Sequence, residues 1–181
     1  AQVITALQSI ASRRVDPTSP CVVTVGSIHA GTASNVIPPQ VELRGTIRSL
    51  DQGVREQLWG DLRRVFEVSK ALGGDFRLEI QEGFPVMIND AGVSALIREV
   101  SAEILGPESV RDELPEMGAE DFSVLASQAP GAMFSLGVKP RGRETPLRLH
   151  SPDFDLDEEA LPLGVAILTA TAWRYLQDGA R

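Results

Sequence analysis

Between Val3 and Ile80 the apolar residues change period in an order that few folds accept. Val3, Ile4, Leu7 and Ile10 recur at helical spacing. The helix they predict stops before Asp16-Pro17, because the residue before a proline avoids the helical region. Residues 22–28 are dense in β-branched side chains. Val41, Leu43 and Ile47 then line one face of a second strand, with Glu42, Arg44 and Thr46 on the other. Leu58, Leu62, Val65 and Phe66 return to helical spacing within residues 54–72. Ser49 or Asp51 can cap that helix, and Gly73-Gly74 ends it. Phe76, Leu78 and Ile80 alternate as a third strand. The order is helix, strand, strand, helix, strand. One more strand in front completes the βαββαβ order of a ferredoxin-like sandwich. The expected first unit is therefore α+β: ferredoxin-like, without its first strand, its second helix covering one sheet face.

A different pattern follows the linker at residues 83–89. Asn89 or Asp90 can cap a helix with Val93, Leu96, Ile97, Val100 and Ile104 inside, stopped by Gly106-Pro107. Residues 132–138 are a short apolar run, expected as a fully buried strand of a parallel sheet. Residues 139–148 form a basic loop rich in proline and glycine. The last helix carries Leu161, Val165, Leu168 and Leu176. Strand alternating with helix predicts an α/β layer. The expected division is thus residues 1–88 and residues 89–181. Ala1 lies inside an amphipathic pattern with no initiator methionine, so the start reads as a cut.

Composition narrows the function classes. The net charge of −8 disfavours nucleic acid and anionic membranes as general partners, since phosphates are repelled. No apolar run approaches the ~18 residues that span a bilayer. With 43% apolar residues in 181, a core can be buried. The single cysteine, Cys21, allows no intrachain disulfide and no cysteine metal cluster, which fits a cytoplasmic location. It follows Pro20 at a strand start and reads as packing.

Two histidines and one cysteine leave few chemical options. His150 stands in Leu149-His150-Ser151-Pro152-Asp153-Phe154-Asp155, ahead of a helix whose start holds Asp157, Glu158 and Glu159. Neutral imidazole is a common metal ligand, and nearby carboxylates can orient its second nitrogen. The plainer reading is a surface histidine beside acids that favour a helix N-terminus. Gly118 and Glu120 stand in Met117-Gly118-Ala119-Glu120-Asp121-Phe122, where a glycine lets backbone N–H groups approach a substrate. The plainer reading is a strand end followed by a helix start. His29 and Asn35 flank Ala30-Gly31-Thr32-Ala33-Ser34, a polar connection that could offer hydrogen bonds to an oxyanion or a carboxylate. The plainer reading is a turn, where asparagine tolerates left-handed geometry.

Taken in order, these segments resemble one family. Gly31-Thr32-Ala33-Ser34-Asn35-Val36-Ile37-Pro38 with Arg44-Gly45-Thr46-Ile47-Arg48 resembles the GxAxNVIP…GTxR stretch of the aminoacylase, hippurate-hydrolase and auxin-conjugate-hydrolase amidohydrolases. Residues 117–123 resemble their MGxEDF loop, and residues 149–158 their HSPxFDxDE signature. The resemblance implies metal-dependent hydrolysis of N-acyl amino acids or similar small amides. It implies two divalent metal ions per active site (zinc, manganese, nickel or cobalt). It makes residues 1–88 a lid that builds a homodimer, and residues 89–181 the C-terminal part of the catalytic domain. His150 matches a metal ligand. Asn35, and less closely His29, match catalytic lid positions, with Asn35 reaching the partner subunit's site. Arg48, Gly118 and Glu120 match the substrate side. The family's remaining ligands and its catalytic glutamate have no counterpart here, so the chain alone is expected to be inactive. The alternative is a non-catalytic ferredoxin-like dimerisation or binding module.

Overall fold

A computed structural model describes residues 1–143 and 149–178 of the chain. It divides into two compact units. Ala1–Met87 with Pro115–Val124 forms the first, and Ile88–Leu114 with Leu125–Arg181 the second. Residues 144–148, within the expected basic loop, lie outside the described residues. No described helix is long and apolar enough to cross a membrane.

In the first unit, α1 (Gln2–Ser9) runs into a π-helical turn, Ile10–Arg14. The backbone turns extended at Val15, ahead of Pro17, as the proline rule requires. Asp16 then closes the turn. Its side chain accepts from the Thr18 amide at 2.8 Å and the Thr18 hydroxyl at 2.6 Å, which holds its carboxyl below the ordinary range. Strands β1 (Cys21–Ala30) and β2 (Val41–Ser49) pair antiparallel from Cys21↔Ser49 to Ala30↔Val41, with a bulge between Val25 and Ser27. Helix α2 (Gln52–Ala71) comes next. Asp51, rather than Ser49, caps it by accepting from the Val54 amide at 2.8 Å.

Leu7, Ile10, Val15, Leu58 and Val65 form the core of this unit, with Val23, Val25, Ile47, Leu62 and Phe66 packed against them. The helical stripe of α2 and one face of the sheet thus meet as their periods require. One core position is charged. Asp61, fully buried on α2, receives Arg14 Nε at 2.7 Å and Arg64 at 2.9 Å. The buried charge is matched by guanidinium groups whose far ends reach water, which limits the desolvation cost. The pair also fixes the π-helical turn, which ends at Arg14, against α2.

The expected third strand is corrected. Residues 76–80 keep their alternating exposure but join no ladder, so the described sheet has two strands. A strand is defined by hydrogen bonds to a neighbour, and side-chain alternation cannot supply one. Phe76 nevertheless packs on α2, its ring centroid 5.6 Å from that of Phe66 and beneath the Lys70 ammonium at 4.9 Å.

In the second unit, α3 (Ala91–Leu105) is capped by Asp90, which accepts from the Val93 amide at 2.9 Å. Asn89 does something else. Its amide donates to the Met133 carbonyl at 2.9 Å and accepts from the Met133 amide at 2.8 Å. That pairing imitates one rung of a sheet. Residues 132–138 alternate between half-buried and exposed and form no strand, so the expected buried parallel strand, and with it the α/β layer, is absent among the described residues. The short α4 (Phe122–Ala126) lies where the chain passes between the units. Helix α5 (Ala160–Asp178) packs on α3 and buries Ala160 and Ile167. Leu161, Val165, Leu168 and Leu176, the apolar residues by which the sequence marks this helix, are exposed. α3 likewise buries Ile97 and Val100 but leaves Ile104 in water.

Candidate functional site

His29 and Asn35 occupy one end of the β1–β2 hairpin. His29 is exposed opposite Glu42, and residues 31–37 form an exposed tip. Gly31 takes a φ of 67°, which glycine adopts without a Cβ penalty, and starts the reversal that Pro38 closes. A loose turn from the Val36 amide to the Ala33 carbonyl, 3.5 Å, spans Asn35. The tip is polar and open, with two strands behind it.

Arg48 lies at the opposite end of the same hairpin. It pairs with Val22, six residues along β2 from the partner of His29. At strand rise that is about 20 Å. Ile47 faces the core, so Arg48 projects from the other face of the sheet. Its guanidinium donates to the Met117 carbonyl at 2.7 Å. Met117, Gly118 and Glu120 stand in succession in that loop. Glu120 Oε1 accepts from the Phe122 amide at 3.0 Å, and its carbonyl accepts from the buried Ser123 hydroxyl at 2.5 Å. The fold therefore brings Arg48, Gly118 and Glu120 together and keeps them from His29. Sequence reasoning found these residues but not the bond between them, because sixty-nine positions separate its ends.

His150 belongs to the second unit. It is exposed and has a φ of 65°, the one described non-glycine residue with positive φ. Such geometry is uncommon outside glycine, and it clusters at sites where surrounding structure holds it. Ser151 organises the next turn: its hydroxyl accepts from the Asp153 amide at 3.3 Å and its carbonyl from the Phe154 amide at 3.0 Å. The Asp157 amide donates to the Val138 carbonyl at 2.9 Å, and the Asp157 carboxylate accepts from the Glu159 amide at 3.1 Å. The acids expected to orient the imidazole are thus engaged in part with the backbone at the start of α5.

Among the described residues no group of three histidine, cysteine or acidic side chains could hold a metal ion. A lone exposed imidazole does not by itself fit a pair of divalent ions, which need several donors each. Burial pushes the Cys21 thiol above its ordinary range, the direction opposite to activation.

This architecture recurs in a crystal structure. It superposes on Bacillus subtilis YXEP protein, described as a dinuclear metal binding peptidase from the M20 family, with a TM-score of 0.72 and 25% identity over 97% of this chain and 45% of that one. The fold is a portion of a peptidase fold. The sequence profile of Peptidase family M20/M25/M40 matches residues 6–174, and the chain belongs to that family. It is 40% identical to a Synechocystis protein named "Probable hydrolase sll0100", across 98% of this chain and 46% of the relative. It is 34% identical to IAA-amino acid hydrolase ILR1-like 4 of Arabidopsis thaliana, across 97% of this chain and 41% of the relative. The chain spans somewhat under half the length of the relatives it matches.

Proposed function

We propose that this chain is part of a metal-dependent amidohydrolase acting on N-acyl amino acids or similar small amides. The observation that carries the reading is the Arabidopsis relative, whose name states hydrolysis of an acid joined to an amino acid. A conjugate made through the amino acid's nitrogen is an amide, and water cleaves it to a carboxylic acid and an amine. Residues 1–88 serve as the lid, ferredoxin-like once a further strand joins β2 and residues 76–80. Residues 89–181 serve as the C-terminal part of the catalytic domain, and the setting is cytoplasmic. The lid builds a homodimer.

The residues divide the work by position. His150 contributes one ligand to a divalent metal pair (zinc, manganese, nickel or cobalt) whose other ligands lie outside the described residues. Asn35, at an open tip behind which two strands stand, enters the partner subunit's site and donates to the substrate carbonyl or its developing oxyanion. His29 stands at the base of that tip. Gly118 and Glu120 line the substrate side of their own subunit.

The test mixes two inactive variants of the active enzyme, Asn35→Ala and His150→Ala. Metal content of His150→Ala should fall, and each variant alone should lose ~10²-fold or more in turnover, as removal of an oxyanion donor does. If Asn35 serves the partner's site, half of the dimers are mixed, and each mixed dimer has one intact site of two. Activity then returns toward about a quarter of wild type. Subunit exchange without recovery would remove Asn35 from the partner's site, and unchanged metal content would remove His150 from the ligand set.

A further inference from the structure

We propose that Arg48 is a positioning residue. By donating to the Met117 carbonyl it ties the Met117–Glu120 loop to the sheet, and so sets where Gly118 and Glu120 stand toward substrate. The inference rests on the function proposed above for the role of that loop, but the tether itself does not.

Four observations carry it. The bond is 2.7 Å long, the length of a charge-assisted hydrogen bond. Residues 113–119 have no regular structure, and this is the only hydrogen bond that holds them among the described residues. A Cβ at Gly118 would meet nothing within 4 Å, so packing does not hold the loop there either. Downstream the loop is fixed independently, since Glu120 is bound to Phe122 and to Ser123, a residue 2% exposed. Among the described residues the loop is thus hydrogen-bonded at two points, the first turn of α4 and Arg48, and only Met117 within residues 113–119 is half-buried. Arg48 can serve as an anchor because its own backbone is paired with Val22 in the ladder. The loop also groups with the first unit, although Ile88–Leu114 of the second unit precedes it.

A positioning arginine and one that grips a substrate carboxylate behave differently. Lysine can replace the first, because one ammonium donor satisfies one carbonyl. It cannot replace the second where a planar, two-pronged donor is required.

The tether is read first without catalysis. A glutamate-specific protease is applied to the chain, and cleavage after Glu116 is timed. Arg48→Ala should accelerate it about tenfold, the effect of losing one such bond. Arg48→Lys should stay near wild type, as should Arg44→Ala, whose side chain is paired with Glu42 on the same strand. No acceleration in Arg48→Ala overturns the proposal. Equal acceleration after Glu67, inside α2, also overturns it, because Arg48 would then support the whole unit. In the active enzyme, an N-acyl amino acid is compared with the same compound bearing a carboxamide. Positioning predicts that Arg48→Ala lowers kcat by the same factor for both, with rescue by Arg48→Lys. A KM that rises for the free acid alone, without rescue, overturns it in favour of direct carboxylate recognition. Protection of Glu116 by Arg48 in a protein that cleaves neither compound would leave the tether standing and remove the amidohydrolase reading.

Discussion

Gly45 shows how a single position can be explained by its neighbours across a ladder. It sits opposite Val25, where the bulge begins, and a Cβ built there would lie 2.1 Å from the Thr24 carbonyl oxygen. No side-chain atom can occupy that space unless the strands move apart. Gly45→Ala should therefore cost about 1–3 kcal/mol, the range for forcing atoms into packed structure. A denaturant melt checks this, and a midpoint equal to wild type would refute it. Asp61 is the converse case. Sequence periodicity places position 61 on the inner face of α2, yet the residue type argues for water. The conflict is resolved by Arg14, which arrives from the π-helical turn. His150 was legible as a candidate from its motif, whereas its left-handed backbone was not.

Elements separate into those held by local bonds and those that depend on a neighbour. The capped helices α2 and α3 stand where helical spacing places them, because a cap and a helical ladder are made within the segment itself. Residues 76–80 and 132–138 have strand-like patterning without a ladder, since a strand borrows its hydrogen bonds from elsewhere. Between α3 and α5 the described contact includes an ion pair. Arg174 grips Glu103 with both guanidinium nitrogens, one bond at 2.9 Å, and lies 3.6 Å from Glu99. The hydrogen bond from Arg174 holds the Glu103 carboxyl below the ordinary glutamate range. A lowered folded value means the ionised form favours the folded state. This contribution is complete above the unfolded glutamate value, near 4.3, and is lost as pH falls through the lowered folded value. Glu103→Gln should thus reduce thermal stability slightly at pH 7, with the difference from wild type shrinking as pH falls below the unfolded glutamate value. Because the pair is exposed, added salt should shrink the difference at pH 7. A difference that persists at low pH would assign the effect to packing.

At the scale of the molecule, the apolar surface of the last helix is the informative feature. α5 presents Leu161, Val165 and Trp173 along one open face, with Leu168 and Leu176 also exposed. Apolar surface of this extent on one helix is covered in stable proteins by another element or chain. The chain on its own is therefore expected to bind a hydrophobic dye and to self-associate. Replacing Leu161, Val165 and Trp173 with polar residues should reduce both while leaving the helical circular dichroism unchanged. A chain that is monomeric by light scattering and silent toward the dye would contradict the expectation.

The sequence alone determined the features whose causes lie within a few residues. These are the order of helices and strands in the first unit up to α2, the Asp-Pro break, the capping positions to within two residues, and the three motifs that led to the family. It also placed the two faces of β2, because the pleat follows side-chain polarity one residue at a time. Tertiary structure decided the rest. Which face of α5 is buried depends on α3, since Ile167 and Leu168 are equally apolar and only a neighbour can choose between them. Whether residues 76–80 become a strand depends on a partner ladder. The bond between Arg48 and Met117 depends on a fold that brings a strand to a loop sixty-nine positions away. No local period records a meeting at that separation, because the free energy that closes it comes from burial shared across the whole unit.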